Sequence, residues 1–147
     1  YYTQINEEFI MSGTISNEQA LIYVMVMMSG VEGKINPEEL AEIDILVRSL
    51  PVFKNFDRSR LANVAQEAGD MLQMTEGMTT VLELVSDQLP LRLRETAYAL
   101  AVEVAAVDLA VGKEELRFLA ILRDALAMDK LVTAAIERSA IARFQGA

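Results

Sequence analysis

The sequence has 147 residues, 52% of them apolar, with 22 acidic against 13 basic side chains and a net charge of −9. One ordinary core suits that length, burying roughly 70% of the unfolded surface, and the apolar content excludes disorder except at the ends. With neither cysteine nor histidine, disulfides, thiolate or HExxH zinc sites and the common nucleophilic triads are excluded, and the charge disfavours nucleic acid as a partner.

Almost no stretch alternates with the period of two that a half-buried strand needs, so every element reads as helix. A short helix is expected over residues 4–11, ended by Ser12 and Gly13. Ser16 with Gln19 three residues on reads as a capping box for a helix through Ser29. Residues 20–28 are all apolar, so this helix is expected to be central. That run of nine is far short of the ~20 needed to span a bilayer. The chain opens on Tyr1 rather than Met, which suggests that the natural N-terminus lies upstream.

Asn36 as N-cap, Pro37 at the first helical position and Glu39 at the third open the next helix. Leu40, Ile43, Leu46 and Leu50 are its expected inward stripe, and Pro51 ends it. Asp57 is expected to cap a helix carrying Leu61, Val64, Ala68 and Leu72, and Thr75 to mark the start of one carrying Met78, Val81, Leu82, Val85 and Leu89. Met71, Met74 and Met78 are spaced to form either core or an exposed seam. Pro90 precedes a long helix over residues 91–108, with Leu93, Ala97, Leu100, Ala101 and Val104 inward. A helix from Lys113 to about Leu126 and one from the cap Asp129 to about Phe144 close the chain. Lys54, Arg58 and Arg60, the densest basic cluster, read as a solvated face.

An offset of 76 residues aligns 21–49 with 97–125 without a gap. Seven columns are identical: Val26/Val102, Val31/Val107, Glu38/Glu114, Glu39/Glu115, Leu40/Leu116, Ile45/Ile121 and Leu46/Leu122. Each copy runs from a helix into a short loop opened by an acid, Glu32 or Asp108. A branched aliphatic, Ile35 or Val111, follows three residues later and is expected to plug the core, and a second acid, Glu39 or Glu115, comes seven after the first. The fold class is therefore all-α: a compact bundle of about seven or eight helices with an internal pseudo-two-fold, in one domain over 1–147 with copies at about 17–50 and 93–126.

Carboxylates are hard oxygen ligands, and a converging set suits calcium, magnesium or manganese. The candidates are Glu32, Asn36, Glu38 and Glu39 in the first copy and Asp108, Glu114 and Glu115 in the second. Their spacing is not that of an EF-hand. The same residues have a structural reading: Glu39 and Glu115 each stand three residues after a candidate cap, Asn36 or Gly112, where a glutamate satisfies the helix start. Glu103 lies in an otherwise apolar stretch and is expected to have an arginine partner or partial exposure.

SGVEGKINPEELAEIDIL and AAVDLAVGKEELRFLAILRDAL resemble the Asp-Gly-x-Val-x-x-x-Glu loop of the tellurite-resistance TerB family, the second most closely with its preceding LRETAYALAVEVAAVD. Glu32 stands for the family's Asp in the first loop, with Gly33 kept; Asp108 is kept in the second, with Leu109 in place of the Gly. The resemblance covers about residues 17–145. It implies a helical bundle with internal two-fold symmetry and a non-enzymatic role in tellurite or wider metal stress. It also implies a cytoplasmic location, peripheral at the inner membrane face, and work with other tellurite-resistance proteins, including an integral membrane partner. The acidic loops then bind a divalent cation or a basic protein partner. The alternative is a metal-free scaffolding or interaction module. A carboxylate-based hydrolase is the third reading, with no acid pair placed across an evident cleft.

Overall fold

A computed structural model describes residues 15–31, 37–107 and 111–147; the expected helix over residues 4–11 lies outside them. The described residues form an all-α bundle without strands: α1 (Asn17–Gly30), α2 (Pro37–Ser49), α3 (Leu61–Leu72), α4 (Gly77–Gln88), α5 (Leu91–Ala106), α6 (Lys113–Ala125) and α7 (Lys130–Arg143), with 3₁₀ turns at Pro51–Phe53 and Arg58–Arg60.

The capping box starts α1 as its sequence dictates. Ser16 Oγ accepts from the Gln19 amide at 3.1 Å, and Gln19 Oε1 accepts from the Ser16 amide at 2.9 Å. Every residue from Gln19 to Ser29 is buried, because α5, α3, α4 and α2 all pack against this one helix. Such burial stabilises by about 1.5–3 kcal/mol for each large apolar side chain, and Leu21, Ile22, Met25 and Met28 are among the most enclosed. α5 is the second axis: it packs along α1 and carries α7, α6 and α2 on its other sides. The two copies of the repeat therefore place their first helices, α1 and α5, against each other at the centre.

Three local expectations are corrected. Leu40 is 51% exposed, and Glu39, only 5% exposed, takes the inward position instead. At about 100° per residue, Glu39, Ile43, Leu46 and Leu50 form the true inward stripe, and Leu40 falls on its flank. Val111, expected to plug the core, is 40% exposed; Ile35 lies outside the described residues. Asp57 caps not the helix itself but the 3₁₀ turn that leads into α3, its Oδ1 accepting from the Ser59 amide at 3.0 Å.

The start of α4 also differs from expectation, at Gly77 rather than Thr75. Glu76 adopts φ 55°, in the left-handed region, and a Cβ on Gly77 would stand 2.1 Å from the Met71 carbonyl oxygen. Only glycine lets the α3–α4 turn close this tightly. Met74 at the turn is 68% exposed and Met78 39%, whereas Met25, Met27 and Met28 are core. The Asp129 cap is as expected, accepting from the Leu131 amide at 2.8 Å.

One arginine locks three segments together. Arg94 Nε donates to the Leu89 carbonyl at 3.2 Å, Nη2 to Ser86 at 2.7 Å and Nη1 to Leu126 at 3.0 Å. These carbonyls stand at the C-terminal ends of α4 and α6, where helices leave acceptors unmet and a cation is favoured.

Candidate functional site

Of the seven candidate metal ligands, Glu32, Asn36 and Asp108 lie outside the described residues. The other four open α2 and α6 in matched fashion. Glu38 and Glu114 are exposed, and Glu39 and Glu115 are buried at 5% and 2%. Glu115 Oε1 accepts from the Gly112 amide at 3.0 Å, which is the capping role its spacing suggested. Among the described residues no group of three or more acids comes within reach of a common ion.

Glu103 has the arginine partner expected of it. Arg143 Nη2 on α7 pairs with Glu103 Oε1 on α5, whose side chain is 15% exposed. Glu42 on α2 faces the same place: burial pushes its carboxyl up, Glu103 adds to the shift and Arg143 opposes it. Two acids and one guanidinium thus join α2, α5 and α7.

Two buried tyrosines were not legible as partners in the sequence. Tyr23 Oη on α1 donates to Glu67 Oε2 on α3 at 2.8 Å, and Tyr98 Oη on α5 donates to Glu137 Oε2 on α7 at 2.5 Å. Burial pushes both phenols up, the hydrogen bond to the carboxylate adds to this, and a nearby arginine, Arg60 or Arg123, draws each partly back. Phenols held neutral in this way brace helices and are poorly suited to proton abstraction. The sequence offered only a weak signal, a tyrosine within an apolar run, because the polar residues one turn back, Gln19 before Tyr23 and Arg94 and Glu95 before Tyr98, do not point to the distant carboxylates.

The repeat also duplicates a concave surface. Between α5, α6 and α7 lies a cavity of about 400 Å³, walled by Val102, Leu116, Leu119, Ile141 and Phe144 with Val111 at its edge. Between α1, α2 and α3 lies one of about 340 Å³, walled by Val26, Leu40, Ile43, Leu61 and Ala65. Three lining positions are register partners at the 76-residue offset: Val26/Val102, Leu40/Leu116 and Ile43/Leu119. Their exposures match as well, at 4% and 6%, 51% and 57%, and 3% and 6%. Both grooves therefore present a half-exposed leucine above a closed aliphatic floor. Their charges differ: among the described residues the ionisable lining of the α5–α6–α7 groove is Glu137 and that of the other is Arg58.

An exposed apolar cluster around a concavity marks a binding surface more often than isolated exposed leucines do. Val111, Leu116 and Ile141 make the α5–α6–α7 groove such a cluster, at 40%, 57% and 50% exposure. No family model, curated protein or solved structure matches the chain. Among the described residues no helix is long and apolar enough to cross a membrane.

Proposed function

We propose that the chain is a non-enzymatic, TerB-like interaction module whose α5–α6–α7 groove receives a basic amphipathic helix of a partner protein. The observation that carries this reading is the duplicated groove with its register-matched leucines, Leu40 and Leu116. A helix laid into such a groove buries an apolar stripe against Val102, Leu116, Ile141 and Phe144 and sets a lysine or arginine toward Glu137. The net charge of −9 speeds the approach of a basic partner.

The TerB resemblance supports a setting for this activity. In that setting the module serves tellurite or metal stress at the cytoplasmic face of the membrane, beside other tellurite-resistance proteins. Cytoplasmic segments of membrane proteins are enriched in Lys and Arg, which suits them to an acidic module with an apolar groove. The helix-start acids favour the interaction reading over the cation reading, because Glu115 is already engaged in capping α6.

Fluorescence anisotropy with labelled model helices tests the proposal. A basic amphipathic peptide is expected to bind saturably, and an acidic peptide with the same apolar face at least tenfold more weakly. Equal binding of both, or of a basic peptide with a scrambled apolar face, overturns the reading.

A further inference from the structure

A third cavity, of about 450 Å³, is unlike the two grooves. It lies where the end of α2 meets the two 3₁₀ turns, and its lining includes Arg48, Lys54 and Arg58 beside Leu50 and Phe56. From Arg48 to Arg60 the chain carries four bases and one acid, in a protein whose net charge is −9. The basic stretch is thus folded around a concavity rather than spread along a helix face.

The cations there are available. Lys54 and Arg58 are exposed and form no ion pair among the described residues. Arg48 holds Asp44 at 3.0 Å, with both side chains about half exposed, and such an exposed pair is worth little enough for a doubly charged anion to displace it. Asp57, the one acid of the lining among the described residues, already accepts from the Ser59 amide at 3.0 Å and the Ser59 hydroxyl at 2.7 Å. Phe53 and Phe56 meet edge to face at 6.4 Å, which fixes an aromatic wall beside the charges. Phe53 is buried, and Phe56 is left partly open.

We infer that this cavity binds an organic phosphate monoester, the phosphate held by Lys54, Arg58 and Arg48 and the apolar body lying against Phe56 and Leu50. Guanidinium and ammonium groups match phosphate oxygens, and Arg supplies two parallel donors. The aromatic wall favours an ester over the bare anion. The site is separate from the proposed helix groove, and its test does not depend on that reading.

The probes are phenyl phosphate and inorganic phosphate, titrated into the labelled full chain and followed by amide NMR. Phenyl phosphate is expected to give saturable shifts centred on residues 54–59 and to bind roughly tenfold tighter than inorganic phosphate. The double variant Lys54→Gln/Arg58→Gln should weaken it by at least about tenfold. Arg60→Gln, which removes a neighbouring exposed base outside the lining, should leave it unchanged. Both variants change exposed side chains, and matching thermal midpoints verify their folding. Non-saturating shifts, equal affinity for the two probes, or equal losses in the Lys54/Arg58 and Arg60 variants overturn the inference.

Discussion

The Tyr98 hydroxyl on α5 donates to Glu137 on α7 across 2.5 Å, which makes a buried phenol a second polar link, beside the Arg143–Glu103 pair, between these two helices. Tyr23 does the same for α1 and α3 through Glu67. Removing one hydroxyl takes a charge-assisted hydrogen bond from a helix interface, leaving Glu67 Oε2 with only the Gln19 side-chain amide at 3.4 Å in the Tyr23 case. Tyr98→Phe and Tyr23→Phe are each expected to cost about 1–3 kcal/mol, read from urea unfolding midpoints. A loss below about 0.5 kcal/mol in both variants contradicts the bracing role.

The same phenols set an alkaline limit. Burial and the carboxylate partners raise both above the ordinary tyrosine value of 10.0. Above pH 10 the unfolded chain therefore gives up protons that the folded chain retains, and stability falls as pH rises. It is fully present below pH 10. One to two pH units above 10 the slope of stability against pH should reflect about two protons, and about one in either Phe variant. Unfolding series across this range check it, and an unchanged slope in both variants rules it out.

Glu115 caps α6, and its neighbour Glu114 faces solvent. Glu115→Ala is expected to lower stability by about 0.5–2 kcal/mol in chelator-containing buffer, and Glu114→Ala by less than about 0.5 kcal/mol. A cation bound at 100 times its dissociation constant would raise stability by about 2.7 kcal/mol. We expect no such rise with calcium, magnesium or manganese. A rise that Glu32→Ala or Asp108→Ala removes would move the acids from capping to ligation.

Arg94 and Gly77 should be the costliest single sites outside the apolar core. Arg94→Ala leaves three carbonyls at two helix ends without their donor, for an expected loss of about 2–4 kcal/mol. Gly77→Ala forces a methyl onto the Met71 carbonyl, with a loss of about 2–4 kcal/mol. Thermal and urea unfolding measure both. Gly69→Ala, a helical position whose Cβ meets nothing within 4 Å, is the control and should raise stability by up to about 1 kcal/mol.

The caps and the core were legible because their determinants are local. Ser16 and Gln19 are three residues apart, Asp129 caps from two residues away, and the α1 run is apolar whichever way it faces. Leu40 was misread because the inward stripe was traced through apolar residues alone, whereas Glu39, read as a cap or ligand, turns inward at the helix start and leaves the leucine on the flank. The tyrosine partners lie 44 and 39 residues away, beyond any helical period. The grooves were half legible: the repeat paired Leu40 with Leu116, but the concavity needs α3 and α7, whose sequences lie outside the aligned copies.

Methyl NMR of the protein with the basic amphipathic peptide tests the central claim most directly. The account predicts saturable shifts at Val102, Leu116, Leu119 and Ile141, abolished by Leu116→Glu, a change at a half-exposed position that leaves the fold intact. Shifts that miss these methyls, or that persist undiminished in Leu116→Glu, would contradict it.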